Sequence, residues 1–202
     1  MLKNTIFEPL LWWLYSAIAV TGLCGLIYLA VQQNFRQSLN DPQIQIAEDA
    51  AAQIASGTQI DQVVPLGKVD IANSLSPWVA FYNNTGVPLL SQGELNGAPP
   101  QLPSGLFNDS TWLASKTYQS VGGKETRVTW QSSGGVRQAL VIVHLISSPQ
   151  GTGFVVAGRN MREVEDRESQ LTFEVFMAWI VTLGALLLSS FVGWWLLKPR
   201  KN

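Results

Sequence analysis

The sequence predicts an α+β domain held between two transmembrane helices. Three observations predict it. Two uncharged apolar runs lie near the ends of the 202-residue chain. The segment between them carries most of the charged residues. Within that segment the apolar spacing changes from helical to alternating. Charged residues make up 13% of the chain and hydrophobic ones 47%, against about 25% charged in a typical soluble domain.

The first run is Leu10–Val31, LLWWLYSAIAVTGLCGLIYLAV, and the second is Phe176–Leu197, FMAWIVTLGALLLSSFVGWWLL. At ~1.5 Å per residue each spans a ~30 Å hydrocarbon core. The first is longer than the apolar region of a signal peptide, and no A-x-A site follows it, so a retained anchor is expected. Lys198, Arg200 and Lys201 follow the second run, and Lys3 precedes the first. The positive-inside rule then puts both termini in the cytoplasm. Trp12, Trp13, Trp194 and Trp195 suit the same interface. Small residues recur along each anchor: Ala17, Thr21 and Gly25, then Ala185, Ser189 and Gly193. Such stripes admit close helix packing, and they are the expected packing residues.

The expected organisation is therefore a cytoplasmic N-terminus over 1–9, a transmembrane helix over 10–31, and an extracytoplasmic domain over 32–160. A helix over 161–197 runs into the second membrane span, and 198–202 form a basic tail. Inside the domain, Asn40-Asp41-Pro42 starts a helix. Ile44, Ala47, Ala51 and Ile54 then recur at helical spacing, and Gly57 ends it. Trp78–Tyr82 reads as a strand, Asn83–Gly86 as a turn and Val87–Leu90 as a returning strand. Pro88 puts that strand at a sheet edge. A Gly/Pro-rich loop runs from Gly93 to Gly105. Strands follow at Thr126–Gln131, Gln138–Ile146 and Phe154–Ala157, with turns at Ser132–Gly135 and Gln150–Gly153. Five strands after a helix suggest an antiparallel sheet covered on one face. The charged stretch from Met161 has no Gly or Pro before the second anchor, so one helix of about 55 Å is expected.

Three stretches carry a resemblance: WVAFYNNTGVPLL at 78–90, RVTWQSSGGVRQALVIV at 127–143 and GFVVAGRNMREVEDRE at 153–168. In this order, between two anchors, they resemble the extracytoplasmic PAS- or Cache-like sensor region of bacterial two-component sensor histidine kinases. The GRNMREVEDRE run resembles the signalling helix with which such sensors enter their second anchor. Where those domains often have Asp three residues before a turn glycine, this chain has Asn83 before Gly86. The resemblance implies a sensory input module or accessory subunit in a bacterial inner membrane, with signal transduction through helix contacts. It implies no kinase domain, because the chain reaches Asn202 five residues after the anchor, and the sole histidine, His144, falls in an apolar strand outside the cytoplasm. A homodimer and a membrane kinase or transporter are the candidate partners. A structural envelope or secretion scaffold, and a truncated kinase without output, are the alternative readings.

No catalytic constellation is found. Gly122-Gly123-Lys124 lacks the spacing and the hydroxyl residue of a phosphate-binding loop. There is no H-E-x-x-H and no calcium loop. The lone Cys24 allows no disulfide framework. Glu163, Glu165, Asp166 and Glu168, interleaved with Arg162 and Arg167, read as a solvated helix face rather than a metal site. The Asn83 and Asn108 N-x-[ST] patterns read as chance matches. No enzyme activity, cofactor or metal is expected, and a net charge of −1 without a basic run gives no reason to expect nucleic acid. The candidate ligand residues are Trp78, Tyr82, Arg127, Trp130, Arg137 and His144, with Trp112 and Tyr118 beside them. They supply the aromatic surface and few polar groups that a small-molecule pocket needs, although a core and its rim need the same.

Overall fold

A computed structural model describes residues 4–38, 41–107, 118–120, 123–132, 135–146, 148–149 and 151–197. Lys3, Asn108, Trp112, Gly122, Lys198, Arg200 and Lys201 lie outside the described residues, as does the side chain of Tyr118. The described chain forms two units. One is Gln37–Glu165, and the other joins the described residues up to Arg36 with those from Asp166.

α1 (Asn4–Ser38) and α4 (Arg162–Leu197) are each long and apolar enough to cross a membrane. α1 exceeds the expected 10–31 at both ends and contains Pro9. Their apolar windows are 6% and 0% buried, so neither is the core helix of a soluble fold. Ile18, Leu26, Val181 and Leu188 are all exposed. Hydrophobic surface turned outward all round a helix is the pattern that lipid satisfies. These two helices flanking a sheet domain are compatible with a two-pass membrane protein.

The domain begins with α2 (Asp41–Ala55). It ends where the sequence places its stop. Gly57 has φ +102°, its N–H reaches the Ile54 carbonyl, and the Thr58 N–H reaches that of Gln53. Those two bonds satisfy carbonyls that the helix end leaves open. A single turn, α3 (Ile60–Val63), follows. The strands are β1 (Val69–Asp70), β2 (Trp78–Tyr82), β3 (Pro88–Ser91), β4 (Gly93–Glu94), β5 (Tyr118–Ser120), β6 (Gly123–Gln131), β7 (Arg137–Leu145) and β8 (Gly153–Asn160). β3-β2-β8-β7-β6-β5 is one antiparallel sheet, and β1 and β4 form a short parallel pair. The six-stranded sheet exceeds the expected five by β5, and β6 starts three residues earlier than expected.

β3 is an edge strand, so Pro88, which has no N–H, costs no ladder bond there. The β2–β3 turn is built on Asn83. Its side-chain oxygen accepts from the Thr85 N–H (3.0 Å), the Thr85 hydroxyl (2.7 Å) and the Val87 N–H (2.9 Å).

Alternation divides the sheet into two buried faces. Val79, Phe81, Val141, Val143, Leu145, Val155 and Ala157 meet Ala47, Ala50, Ala51 and Ile54 of α2. Trp78, Ala80, Tyr82, Leu140, Ile142, Phe154 and Val156 meet Ile71 and the 95–107 loop through Leu102 and Phe107. The central strands are buried along almost their whole length because both faces are covered.

Candidate functional site

The register separates the candidate ligand residues. Trp78, Tyr82, Trp130 and His144 share the loop-covered face, whereas Arg127 pairs across to Val141 and therefore lies on the α2 face. Arg137 starts β7, at the end of the sheet where the chain leaves for α4.

On the loop-covered face the aromatic residues form a core. The Trp78 indole N–H donates to Gln138 Oε1 (3.3 Å), and Gln138 in turn donates to the Ile71 carbonyl (2.8 Å). Gly93 and Gly158 leave room for that indole; a Cβ on either would collide with it. The Tyr82 hydroxyl donates to the Pro100 carbonyl (2.8 Å), and burial pushes its pKa well above the ordinary phenol value. Phe107 bridges Tyr82 and Phe154, and Phe154 stacks on the His144 ring with centroids 4.4 Å apart. Trp130 is half-buried and lines a cleft of about 430 Å³ with Leu95, Pro99, Pro100, Leu102 and Pro103. Trp130 is thus an aromatic candidate that meets a cleft among the described residues.

Beneath α2 the sheet is polar at one point. Glu125 of β6 is fully buried, and its Oε1 lies 2.5 Å from Arg127 Nε. Its Oε2 has no hydrogen-bond partner among the described residues. Glu48 of α2 lies within hydrogen-bond reach of Glu125, and burial, then Glu125, pushes the Glu48 carboxyl above the ordinary carboxylate range. Gln43, on the buried stripe of α2, is also fully buried with neither side-chain atom paired among the described residues. Buried polar atoms are paired in more than about 90% of cases, so this location stands out from the rest of the core.

The start of α4 is tied to the sheet unit. Asn160, the last residue of β8, is buried and accepts from the Arg162 N–H (2.9 Å), while its amide donates to the Ile71 and Ala72 carbonyls. Arg159 pairs with Glu163 and Arg137 with Glu165, each at 2.9 Å. Arg162 reaches the Asn73 carbonyl (3.3 Å). Glu163 and Glu165, read from sequence as a solvated face, are bound to sheet arginines.

In the helical unit, α1 and α4 run antiparallel. Trp13 donates to the Leu183 carbonyl (3.0 Å), Trp179 donates to the Thr21 hydroxyl (3.0 Å), and Tyr28 and Thr172 share a bond of 3.2 Å. Ala17 is buried. Gly25 lines a cleft of about 290 Å³ with Cys24, Tyr28, Val175 and Phe176. A Cβ on Gly25 or Gly193 would meet nothing within 4 Å, and Ala185 and Ser189 are exposed. Of the stripe residues, Ala17 is buried and Thr21 bonds to α4, whereas Gly25 and Gly193 leave space; aromatic and hydroxyl side chains bridge the two helices.

Sequence reasoning missed Glu125, Glu48, Gln43, Gln138 and Asn160. The i,i+2 spacing of Glu125 and Arg127 on one strand was the signal for the first. Nothing in the spacing marks Gln43. Among the described residues no cluster of metal-ligating side chains occurs. The chain matches no protein-family model, no curated protein and no solved structure.

Proposed function

We propose that the protein is a membrane-anchored sensor-like module. Its sheet domain lies outside the cytoplasm and is of the PAS- or Cache-like kind found in sensor histidine kinases. It signals through helix contacts to a membrane kinase or transporter, and it catalyses no reaction itself. The supporting observation is the junction of β8 with α4. β8 is an interior strand, paired on both sides, and only Met161 separates it from a helix long and apolar enough to enter a membrane. The Asn160, Arg159–Glu163 and Arg137–Glu165 contacts fasten that helix start to the sheet. A change in strand packing therefore has a short covalent route into α4. Signalling of this type needs two arrangements that a ligand or partner favours unequally.

The bacterial inner membrane and the cytoplasmic placement of both termini are part of this proposal. They rest on the basic residues Lys3, Lys198, Arg200 and Lys201.

The test is a chimera in which residues 1–197 precede the dimerisation and catalytic domains of a sensor kinase. A signalling module sets the kinase output, and Glu168→Pro, which breaks α4 at a cost of ~3 kcal/mol or more, changes that output while membrane insertion persists. An output identical in the parent chimera and in Glu168→Pro would overturn the proposal.

A further inference from the structure

We propose that Glu48 and Glu125 form a proton-binding site that fastens α2 to the sheet: one proton bridges the two carboxyl groups, and its loss loosens the helix. The inference is independent of the sensor role, since the pair takes up a proton whatever partner the domain serves.

The geometry carries it. Glu125 is fully buried, and Arg127 satisfies only one of its oxygens. The other oxygen is an acceptor without a donor among the described residues. The group within hydrogen-bond reach is the Glu48 carboxyl, itself an acceptor when ionised and a donor only when protonated. Two ionised carboxylates at such a distance repel, and one proton converts the repulsion into a hydrogen bond. The charge count agrees. With the proton, one carboxylate faces one guanidinium. Without it, two carboxylates share Arg127, and one of them has no exposure to water.

Among the described residues, Arg127 is the one cation that acts on Glu48. β2, β7 and β8 turn Val79, Phe81, Val141, Val143, Leu145, Val155 and Ala157 toward α2. Arg159, further along that face of β8, is engaged by Glu163. Asp49, next to Glu48, adds a further negative charge. The buried amide of Gln43, one turn and a half before Glu48, leaves a second unpaired polar group under the same helix.

The sign follows. Burial and Glu125 hold the Glu48 carboxyl above its unfolded value. Its contribution is therefore complete below the ordinary carboxylate range and is lost as pH rises through the raised value. α2 docking is tighter in mild acid than at neutrality.

The test uses the full chain in lipid nanodiscs, with hydrogen exchange of the α2 amides, corrected for intrinsic rates, at about pH 5 and about pH 7.5. The wild type shows greater α2 protection at the lower pH. Glu48→Gln mimics the protonated acid, so at the higher pH it shows the wild-type low-pH protection and gains little on acidification. Asp49→Asn, which removes the weakest of the charges acting on Glu48, keeps most of the wild-type difference. Equal wild-type protection at both values, or an undiminished difference in Glu48→Gln, would overturn the proposal. A measurement on the unmodified protein guards against a variant that does not fold. Infrared difference spectra across the same range should show a protonated-carboxyl band that disappears as pH rises, and its absence would also overturn the proposal.

Discussion

At the residue scale, the most specific side chain outside the helices is Asn83. All three of its side-chain bonds in the turn end on its oxygen as acceptor, beside backbone bonds with Gly86 and Val87. Asn83→Asp keeps that acceptor, whereas Asn83→Ala removes it, at about 1 kcal/mol for a typical exposed bond of this kind. Chemical denaturation of the full chain in micelles should rank the two variants in that order, with Asp near wild type. The Asn in place of Asp at this turn is therefore a conservative departure from the sensor pattern. Gly158 offers a sharper case. Its neighbour is the Trp78 indole, which is buried and hydrogen-bonded to Gln138. Gly158→Ala forces the indole or the strand to shift, a loss of roughly 1–3 kcal/mol by the usual cost of overpacking. Thermal unfolding measures it, and an unchanged midpoint would show that the indole has slack.

At the element scale, some boundaries were legible and others were not. The α2 stop was legible because Gly57 does what only glycine does cheaply, taking a positive φ while the helix end recruits two N–H groups. Gly57→Ala should cost about 1 kcal/mol, read as reduced thermal stability of the sheet unit. The edge position of β3 was legible because a proline has no N–H to leave unpaired. Glu125 was not legible. The strand expected from Thr126 leaves Glu125 outside it, whereas β6 starts at Gly123. Only the presence of α2 above it and Arg127 beside it makes that position a buried one. α1 and α4 hid their contact for a different reason. A helix that is apolar on every side carries no amphipathic signal to say which side meets its neighbour. The bridging groups turned out to be Trp13, Thr21, Tyr28, Thr172 and Trp179 rather than the glycines. Trp179→Phe deletes one such bond. At about 0.6 kcal/mol for an average interhelical bond in a membrane, the change should lower helical-unit stability slightly and leave insertion intact.

At the scale of the whole molecule, the prediction with the clearest readout is topology. Alkaline phosphatase fused after Gly122 should be active and fused after Asn202 inactive, given the basic residues that flank both anchors. The opposite pattern would reverse the orientation of the chain. The α+β class and the placement of the sheet between two apolar helices were legible because hydrophobic period and run length are local properties. The approach of Glu48 to the buried Glu125 was not, because the two are far apart in sequence. The junction at Met161 bears on how such a chain can change over time. Each helical residue advances the azimuth by about 100°, and one residue alone separates β8 from α4. A single-codon insertion there would swing every downstream side chain by more than a quarter turn, whereas seven codons would return each to within about 20° of its former bearing. Residue number at the junction therefore sets an angle along α4, and insertions that keep every bearing along that helix come in steps of about seven.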